Sequence, residues 1–416
     1  MSQRVYILDR EHGAGPHYTS WIDGLSAPAI QVTEYDHDWL PPADAGLVVT
    51  IQHYQSPEVS ILRRLVEQSR TPVLVLADGI LEYRNTWQHP ALPAGAIFQP
   101  AMGHKVACLG RAQARLLESW GNVGLCEVVG APRWDALLGR PPRVRGEGPL
   151  RILVATAKTP AFTAEQRQRV LTSLRDMQAC LQRTIVANRP IDVCWRLTAG
   201  LDHELRIAGT ASDVSQEPLP QVLARVDAVI TTPSTLLLEA QLFDLPTAIL
   251  DYHNTPAYVP AAWTITAREH IAAMLAELGD PPAPRLLFQR TMLHDALECR
   301  TPAAPRMVRL AEAMLDIGRT CRARNAPLAF PQRILADAAD DRTLPEASFD
   351  LRILFPEHPV FGNLDRARLQ IEIGHLRAEL ARCQAARSPG QKSQGPAWKK
   401  ILRDWLPAVR HPRRAA

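Results

Sequence analysis

The chain has no paired cysteines. Its seven stand singly, at 108, 126, 180, 194, 299, 321 and 383, and no CxxC spacing occurs. That pattern argues against a zinc knuckle and a disulfide framework, and it fits thiols kept reduced in a cytosol. Long apolar runs are also missing, since no stretch approaches the ~20 residues that cross a bilayer as a helix. The first residues, MSQRVYILDR, enter a strand pattern at once instead of a charged and then apolar leader. A cytoplasmic protein is therefore expected. Excess charge of one sign is scarce too. The formal net charge is +4, and residues 396–416 alone hold six Lys/Arg against one Asp, which leaves the rest near about −1. A body so balanced is not a nucleic-acid binder on charge grounds, and the tail is the basic element.

What is present is an ordinary globular composition, 46% hydrophobic over 416 residues, enough for two or three domains with large cores. Short apolar strands are expected at 5–8, 29–33, 47–51, 73–77, 105–109 and 126–129, with helices at 57–69 and 111–120. Such alternation predicts a doubly wound parallel sheet. Residues 140–149, RPPRVRGEGP, read as a linker. A second α/β series follows, with strands at 152–155, 192–197, 227–231 and 247–250 and helices at 163–183, 267–278 and 305–322. Two Rossmann-like halves, 1–145 and 146–325, would face each other across a crevice at the carboxyl ends of both sheets.

The organising stretch is 224–253, ARVDAVITTPSTLLLEAQLFDLPTAILDYH. It reads as strand, helix and strand, both strands buried. Pro233 suits a first helical position, and Thr232, Ser234 and Thr235 surround it with hydroxyls. The bland reading is a helix cap worth ~1 kcal/mol. The position between two buried strands favours a phosphate site, because a helix start offers unpaired N–H groups and a positive dipole end.

Beyond the second half the pattern changes. Residues 326–363 are rich in proline and acids without a period, and read as an irregular extension. Within 364–387, Leu369, Ile373, Leu376, Leu380 and Cys383 fall at coiled-coil spacing over about two heptads. Two heptads do not stand alone in water, so self- or partner association through 369–383 is expected. In 396–416, Trp398, Ile401, Leu402, Trp405 and Val409 share a face among basic residues, a combination suited to an anionic membrane surface.

Two segments, VGAPRWD at 129–135 and the stretch 231–246, resemble GT-B glycosyltransferase-like proteins of bacterial surface-polysaccharide synthesis. The likeness is to CDP-glycerol glycerophosphotransferases and, more loosely, to UDP-N-acetylglucosamine 2-epimerases. It implies a nucleotide-sugar donor in the second half and a glycan or lipid-linked glycan acceptor in the first. It also implies that Ser234 and Thr235 bind the donor's phosphates and that Glu239 accepts hydrogen bonds from ribose hydroxyls. The tryptophan-histidine-glycine acceptor motif of the glycerophosphotransferases is missing, and 78–87 occupies the comparable region. Glycerol phosphate transfer is therefore not expected.

Lys158 and Arg196 follow the first two strands of the second half, from where both could reach a diphosphate. His253 could touch the base or sugar, though a lone histidine is more often structural. Transfer to a hydroxyl needs a base, and the first half offers Glu11, His12, His17, His53, Asp78 and Glu82. Asp78 is the first choice, since Asp-Gly at a strand's carboxyl end carries a carboxylate into the crevice. His17 is second. No metal or other cofactor is expected: Asp36-His37-Asp38 only superficially resembles a DxD motif and has no second-half counterpart. The expected function is a metal-independent glycosyltransferase, peripheral on the inner face of the cytoplasmic membrane. It would pass a sugar from a UDP-sugar or CMP-Kdo-like donor to a growing surface polysaccharide such as capsule or lipopolysaccharide. The alternatives are a sugar-nucleotide epimerase of the same fold and a non-catalytic, membrane-recruiting scaffold.

Overall fold

A computed structural model describes residues 3–10, 15–54, 56–92, 97–140, 148–182, 185–186, 189–337 and 342, and the fragments 373–374, 376–377 and 379–380. The chain divides into two units, Met1–Phe349 and Asp350–Ala416. In the second unit, the described residues at 373–374, 376–377 and 379–380 are helical. The expected basic tail at 396–416, the rest of the heptad helix, the base candidates Glu11 and His12, and most of the linker lie outside the described residues.

The first unit holds two six-stranded sheets. In the first, β1 (Arg4–Leu8), β2 (Ala29–Val32), β3 (Ala45–Thr50), β4 (Val73–Leu76), β5 (Lys105–Cys108) and β6 (Cys126–Val128) lie in the order β2-β1-β3-β4-β5-β6, all parallel. Inner strands such as β4, VLVL, are buried along their whole length. Burial on both faces is why they read as unbroken apolar runs.

In the second sheet, β7 (Leu150–Ala155), β8 (Ile185–Val186), β9 (Arg189–Arg196), β10 (Ala228–Thr231), β11 (Thr247–Leu250) and β12 (Trp263–Ile265) take the order β12-β11-β10-β7-β9-β8. Only the short β8 is antiparallel to its neighbour. Chain order reverses between β1 and β3 in one sheet and between β7 and β10 in the other. Such reversals open crevices at the strands' carboxyl ends. At the second, Ala155 pairs with Thr231, so Thr156 and Thr232 emerge side by side.

The helix Ala304–Ala323 follows the second half in the chain but packs on the first. Its Met307, Leu310, Met314 and Leu315 share a core with Val5, Ile7, Leu47 and Val49. Asp135, the last residue of VGAPRWD, fixes its start: the carboxylate accepts the N–H groups of Ala303 at 2.7 Å and Ala304 at 2.8 Å. The chain then runs back across β5 and β6. Lys105 and Glu127, both 0% exposed, pair at 2.7 Å. Lys105 Nζ also donates to the carbonyls of Pro331 and Gln332, and Glu127 accepts the N–H groups of Ile334 and Leu335. The first residues of the irregular extension are thus a strap anchored on a buried ion pair. Removing one member would strand a buried charge at a cost of about 3–5 kcal/mol.

Candidate functional site

A cleft of about 330 Å³ opens where β1, β3 and β4 end. The first half contributes Asp9, His17, His53, Asp78 and Glu82 to its lining, and the second half contributes Lys158. Four expected base candidates and one expected phosphate ligand are therefore brought into one cavity.

Asp78 follows the end of β4, exposed to water and lining the cleft. Burial among protein atoms raises its pKa, opposed by Arg133, by the N–H groups of Asp78 and Gly79, and by Lys158. The next residue must be glycine. A Cβ on Gly79 would stand 2.1 Å from Thr235 Oγ1, and Thr235 Oγ1 accepts the N–H of Ile80 at 3.2 Å. The carbonyl of Gly79 accepts from the buried Gln113 at 3.0 Å. The Asp-Gly loop is thus clamped between the two halves.

VGAPRWD supplies the next part of the site. Gly130 has φ +95°, and a Cβ there would meet the carbonyl of Glu298 at 2.6 Å. The turn sends Trp134 into the core and lets Arg133 reach Asp78 and His17. Arg133 stacks on Trp134 at 4.3 Å, donates to the carbonyl of Asp78 at 2.8 Å and donates to His17 Nδ1. A guanidinium has no lone pair to accept with, so His17 must be protonated on Nε2. Burial, then the charge of Arg133, pushes His17 down to about 4, so it is neutral near pH 7. The sequence offered His17 as the alternative base. In this setting it presents an N–H donor, and its free lone pair is spent on Arg133.

Glu82 is corrected in the same way. One carboxylate oxygen accepts the N–H of Asn85 at 2.8 Å, capping the helix Tyr83–Trp87, and the other pairs with the buried Arg84 at 2.6 Å. Arg84 in turn reaches the carbonyl of Pro160 in the second half. Glu82 borders the cleft, but its oxygens are occupied by structural partners.

In the second half the expected hydroxyls are also engaged. Thr232 Oγ1 accepts the N–H of Ala157 at 2.8 Å, Ser234 shares a hydrogen bond with Thr231 at 3.0 Å, and Thr235 is taken by Ile80. The main-chain N–H groups of Ser234, Thr235 and Leu236 donate to nothing among the described residues. The helix they open, Leu236–Leu242, is only two turns long. The turn faces the first half, as expected, but Thr235 closes part of it. Arg196 Nη1 donates to the carbonyls of Val214 at 3.0 Å and Glu217 at 2.7 Å and braces that loop.

Glu239 is half-buried, with its pKa raised by burial against the charges of Arg133 and then Arg196. Its carboxylate accepts no hydrogen bond among the described residues. Lys158 stands exposed at the cleft without a hydrogen-bonded partner among the described residues. His253 has its Nε2 3.3 Å from the carbonyl of Gln166, and its N–H donates to Asp251, a bracing role. Its pKa is lowered, first by burial.

Asp36-His37-Asp38 forms a loop in which the N–H of Asp38 donates to Asp36 and His37 lies 3.3 Å from Ser56. Among the described residues, no group of three or more His, Cys, Asp or Glu side chains is placed to hold a metal ion, and no helix is long and apolar enough to cross a membrane. Sequence reasoning missed Gln113 and Arg84 as supports of the site. It gave Arg133 only a bracing role at the junction. Their partners are distant in the chain, so no local spacing carries the signal.

No family model and no curated protein matches the sequence. Among solved structures, the S. aureus MnaA–UDP co-structure aligns with a TM-score of 0.50 at 11% identity, over 76% of this chain and 97% of that one. Methanocaldococcus jannaschii UDP-GlcNAc 2-epimerase, in complex with UDP-GlcNAc and UDP, aligns at 0.49 and 10% identity, over 75% of this chain and 100% of that one. The wall teichoic acid polymerase TagF, soaked with CDPG, aligns at 0.47 and 12% identity, over 76% and 89%. The two parallel sheets, the cleft at their carboxyl ends and the likeness to the S. aureus protein give this chain the GT-B fold.

Proposed function

We propose that the protein is a metal-independent glycosyltransferase, moving a sugar from a nucleotide-activated donor to a hydroxyl of a growing cell-surface polysaccharide. One observation carries this reading: Asp78 and Lys158, from opposite halves, line one cleft, and the charge of Lys158 acts on the carboxyl of Asp78. Displacement at an anomeric carbon needs a base for the incoming hydroxyl and a counter-charge for the departing phosphate. Asp78, its proton affinity raised by burial, takes the hydroxyl proton, and Lys158 meets the charge that develops on the leaving group. Arg133, through the carbonyl of Asp78, holds the base in place. The unpaired N–H groups of residues 234–236 hold a donor phosphate, and Glu239, with no hydrogen bond of its own, accepts from the ribose.

The similar S. aureus structure holds UDP, so a UDP-sugar is the first donor to try, and a CMP-Kdo-like donor the second. The basic tail would keep the enzyme on the inner membrane face, near a lipid-linked acceptor. The test is thermal unfolding of the full chain with UDP, CDP, GDP and CMP, followed by turnover of the matching sugar nucleotide. Truncation near residue 325 is unsuitable, because it removes the strap that the buried Lys105–Glu127 pair anchors. A ligand at 100 times its Kd stabilises by about 2.7 kcal/mol, a readable shift. Stabilisation by one nucleotide and sugar transfer only with acceptor present are expected. Turnover without any acceptor would assign the epimerase instead, and no shift from any nucleotide would leave the scaffold.

A further inference from the structure

We infer that the first-half side of the cleft selects an uncharged, hydroxyl-bearing sugar over an anionic one, and that the Nε2–H of His53 is the donor that reads it. The inference rests on the transferase reading above and names the chemical class of its acceptor. His53 is 1% exposed, lines the cleft, and has no partner for Nε2 among the described residues. Its Nδ1 accepts the N–H of Met102 at 3.5 Å, which puts the ring proton on Nε2. Met102 does not line the cleft, whereas Tyr54 and Phe98, packed on the ring at 5.4 and 4.7 Å, do. The ring thus borders the cleft, and its Nε2–H is left without an acceptor among the described residues. A buried N–H without an acceptor is costly, and a ligand oxygen removes that cost.

The charges beside it decide which oxygen. The first-half lining carries Asp9, Asp78 and Glu82, and among the described lining residues the one facing cation is Lys158, across the cleft. Arg84 is committed to Glu82, and Arg133 to His17 and the carbonyl of Asp78. Burial pushes His53 down to about 3, so it brings no positive charge near neutral pH. A phosphate or carboxylate entering here would meet the carboxylates of Asp9, Asp78 and Glu82 against the single free cation of the described lining, Lys158. A sugar hydroxyl fits both sides, donating to Asp78 and accepting from His53.

The experiment is a ligand-observed NMR titration of the full chain with methyl glucoside, methyl glucuronide and glycerol 3-phosphate. Binding of the glucoside, with both anions at least roughly tenfold weaker, is expected. His53→Phe should lose roughly tenfold in glucoside affinity, as for one hydrogen bond to a buried donor, while His53→Gln, which keeps an N–H, recovers most of it. Equal or tighter binding of either anion, binding of none of the three, or an unaffected His53→Phe would overturn the inference. Should His53→Phe fail to fold, Asp78→Asn decides: it should bring the anions within roughly threefold of the glucoside, and an unchanged order would refute the charge argument. Nucleotide affinity, measured separately, distinguishes the two levels, since its absence removes the transferase reading without altering the order among the three probes.

Discussion

The first-half wall of the cleft carries Asp78 and two imidazoles, His17 and His53, whose Nε2–H groups have no hydrogen-bond partner among the described residues. In the second half, Thr232, Ser234, Thr235 and Arg196 are bound to Ala157, Thr231, Ile80 and the 214–217 loop. Both regions are strand ends of a doubly wound sheet, and both carry the residue types that chemistry at a crevice uses. The difference lies in what the neighbouring chain has already claimed. Residue type at a strand end says which group reaches the crevice. Whether that group is free depends on an acceptor or donor that can lie 155 residues away, as Ile80 does from Thr235.

The largest expected effect tests the claim within one wall. Asp78→Asn should lower turnover by about 10²–10⁴, the usual contribution of a positioned base, with stability unchanged or raised because a poorly solvated charge is removed. Glu82→Gln should do the reverse. It weakens the cap on Asn85 and the pair with buried Arg84, costing about 1–3 kcal/mol, with a smaller loss of rate. Initial rates and denaturant midpoints on the two variants decide; equal rate losses would erase the distinction between a free and a committed carboxylate.

Acid should weaken this wall next. His17 and His53 are lowered from 6.5 to about 4 and about 3 by burial. In the unfolded chain they take up protons first, so their stabilising contribution is present above pH 6.5 and lost as pH falls toward the folded values. Each adds a slope of up to about 1.4 kcal/mol per pH unit in that window. Asp78 runs the other way: with its folded pKa raised, its contribution is present below the unfolded value and lost as pH rises through the folded one. Denaturant midpoints between pH 7 and pH 5 should fall, and the fall should be shallower in His53→Gln. A slope identical to the parent would mean that His53 is not a neutral, buried imidazole.

In the second half, Lys158 and Arg196 separate a free cation from a committed one. Lys158→Ala should leave stability within about 0.5 kcal/mol, as for an unpaired surface residue, and reduce nucleotide affinity about tenfold or more. Arg196→Ala should cost about 1–3 kcal/mol by leaving the carbonyls of Val214 and Glu217 without their donor. Its effect on affinity should be the smaller of the two. Isothermal titration beside thermal melts would show whether the two losses fall on different axes.

How much of this was legible follows the same division. β10 and β11 and the helix between them could be read from AVIT, TAIL and the proline stops, because burial on both faces leaves nothing but apolar residues. Asp78 was legible because a strand, its end and an Asp-Gly are all local. The helix Ala283–Ala296 was not: its buried face carries Arg285, Gln289 and Asp295, which break the apolar stripe a helix is recognised by. Those polar groups are satisfied from afar, Gln289 by Thr247 and Leu245, and Arg285 by Glu277 and the carbonyl of Ala262. The helix Ala304–Ala323 was readable as a helix, but its place on the first sheet depends on a cap from Asp135, 168 residues earlier than Ala303. The tautomer of His17 likewise belongs to Arg133, 116 residues on.

The smallest effect asks what, in the second half, would grip a phosphate. If the hydroxyls there are committed, Thr235→Ala should cost about 1 kcal/mol through the lost acceptor for Ile80, yet leave nucleotide affinity within about twofold. Thr235→Pro removes the main-chain N–H as well. The φ of Thr235, −62°, is the angle a proline ring holds, so the substitution takes away the donor while asking little of that dihedral. Affinity should therefore fall in the proline variant and not in the alanine one. Equal losses in both would return the grip to the hydroxyl, and equal retention in both would move the phosphate away from this turn and toward Lys158.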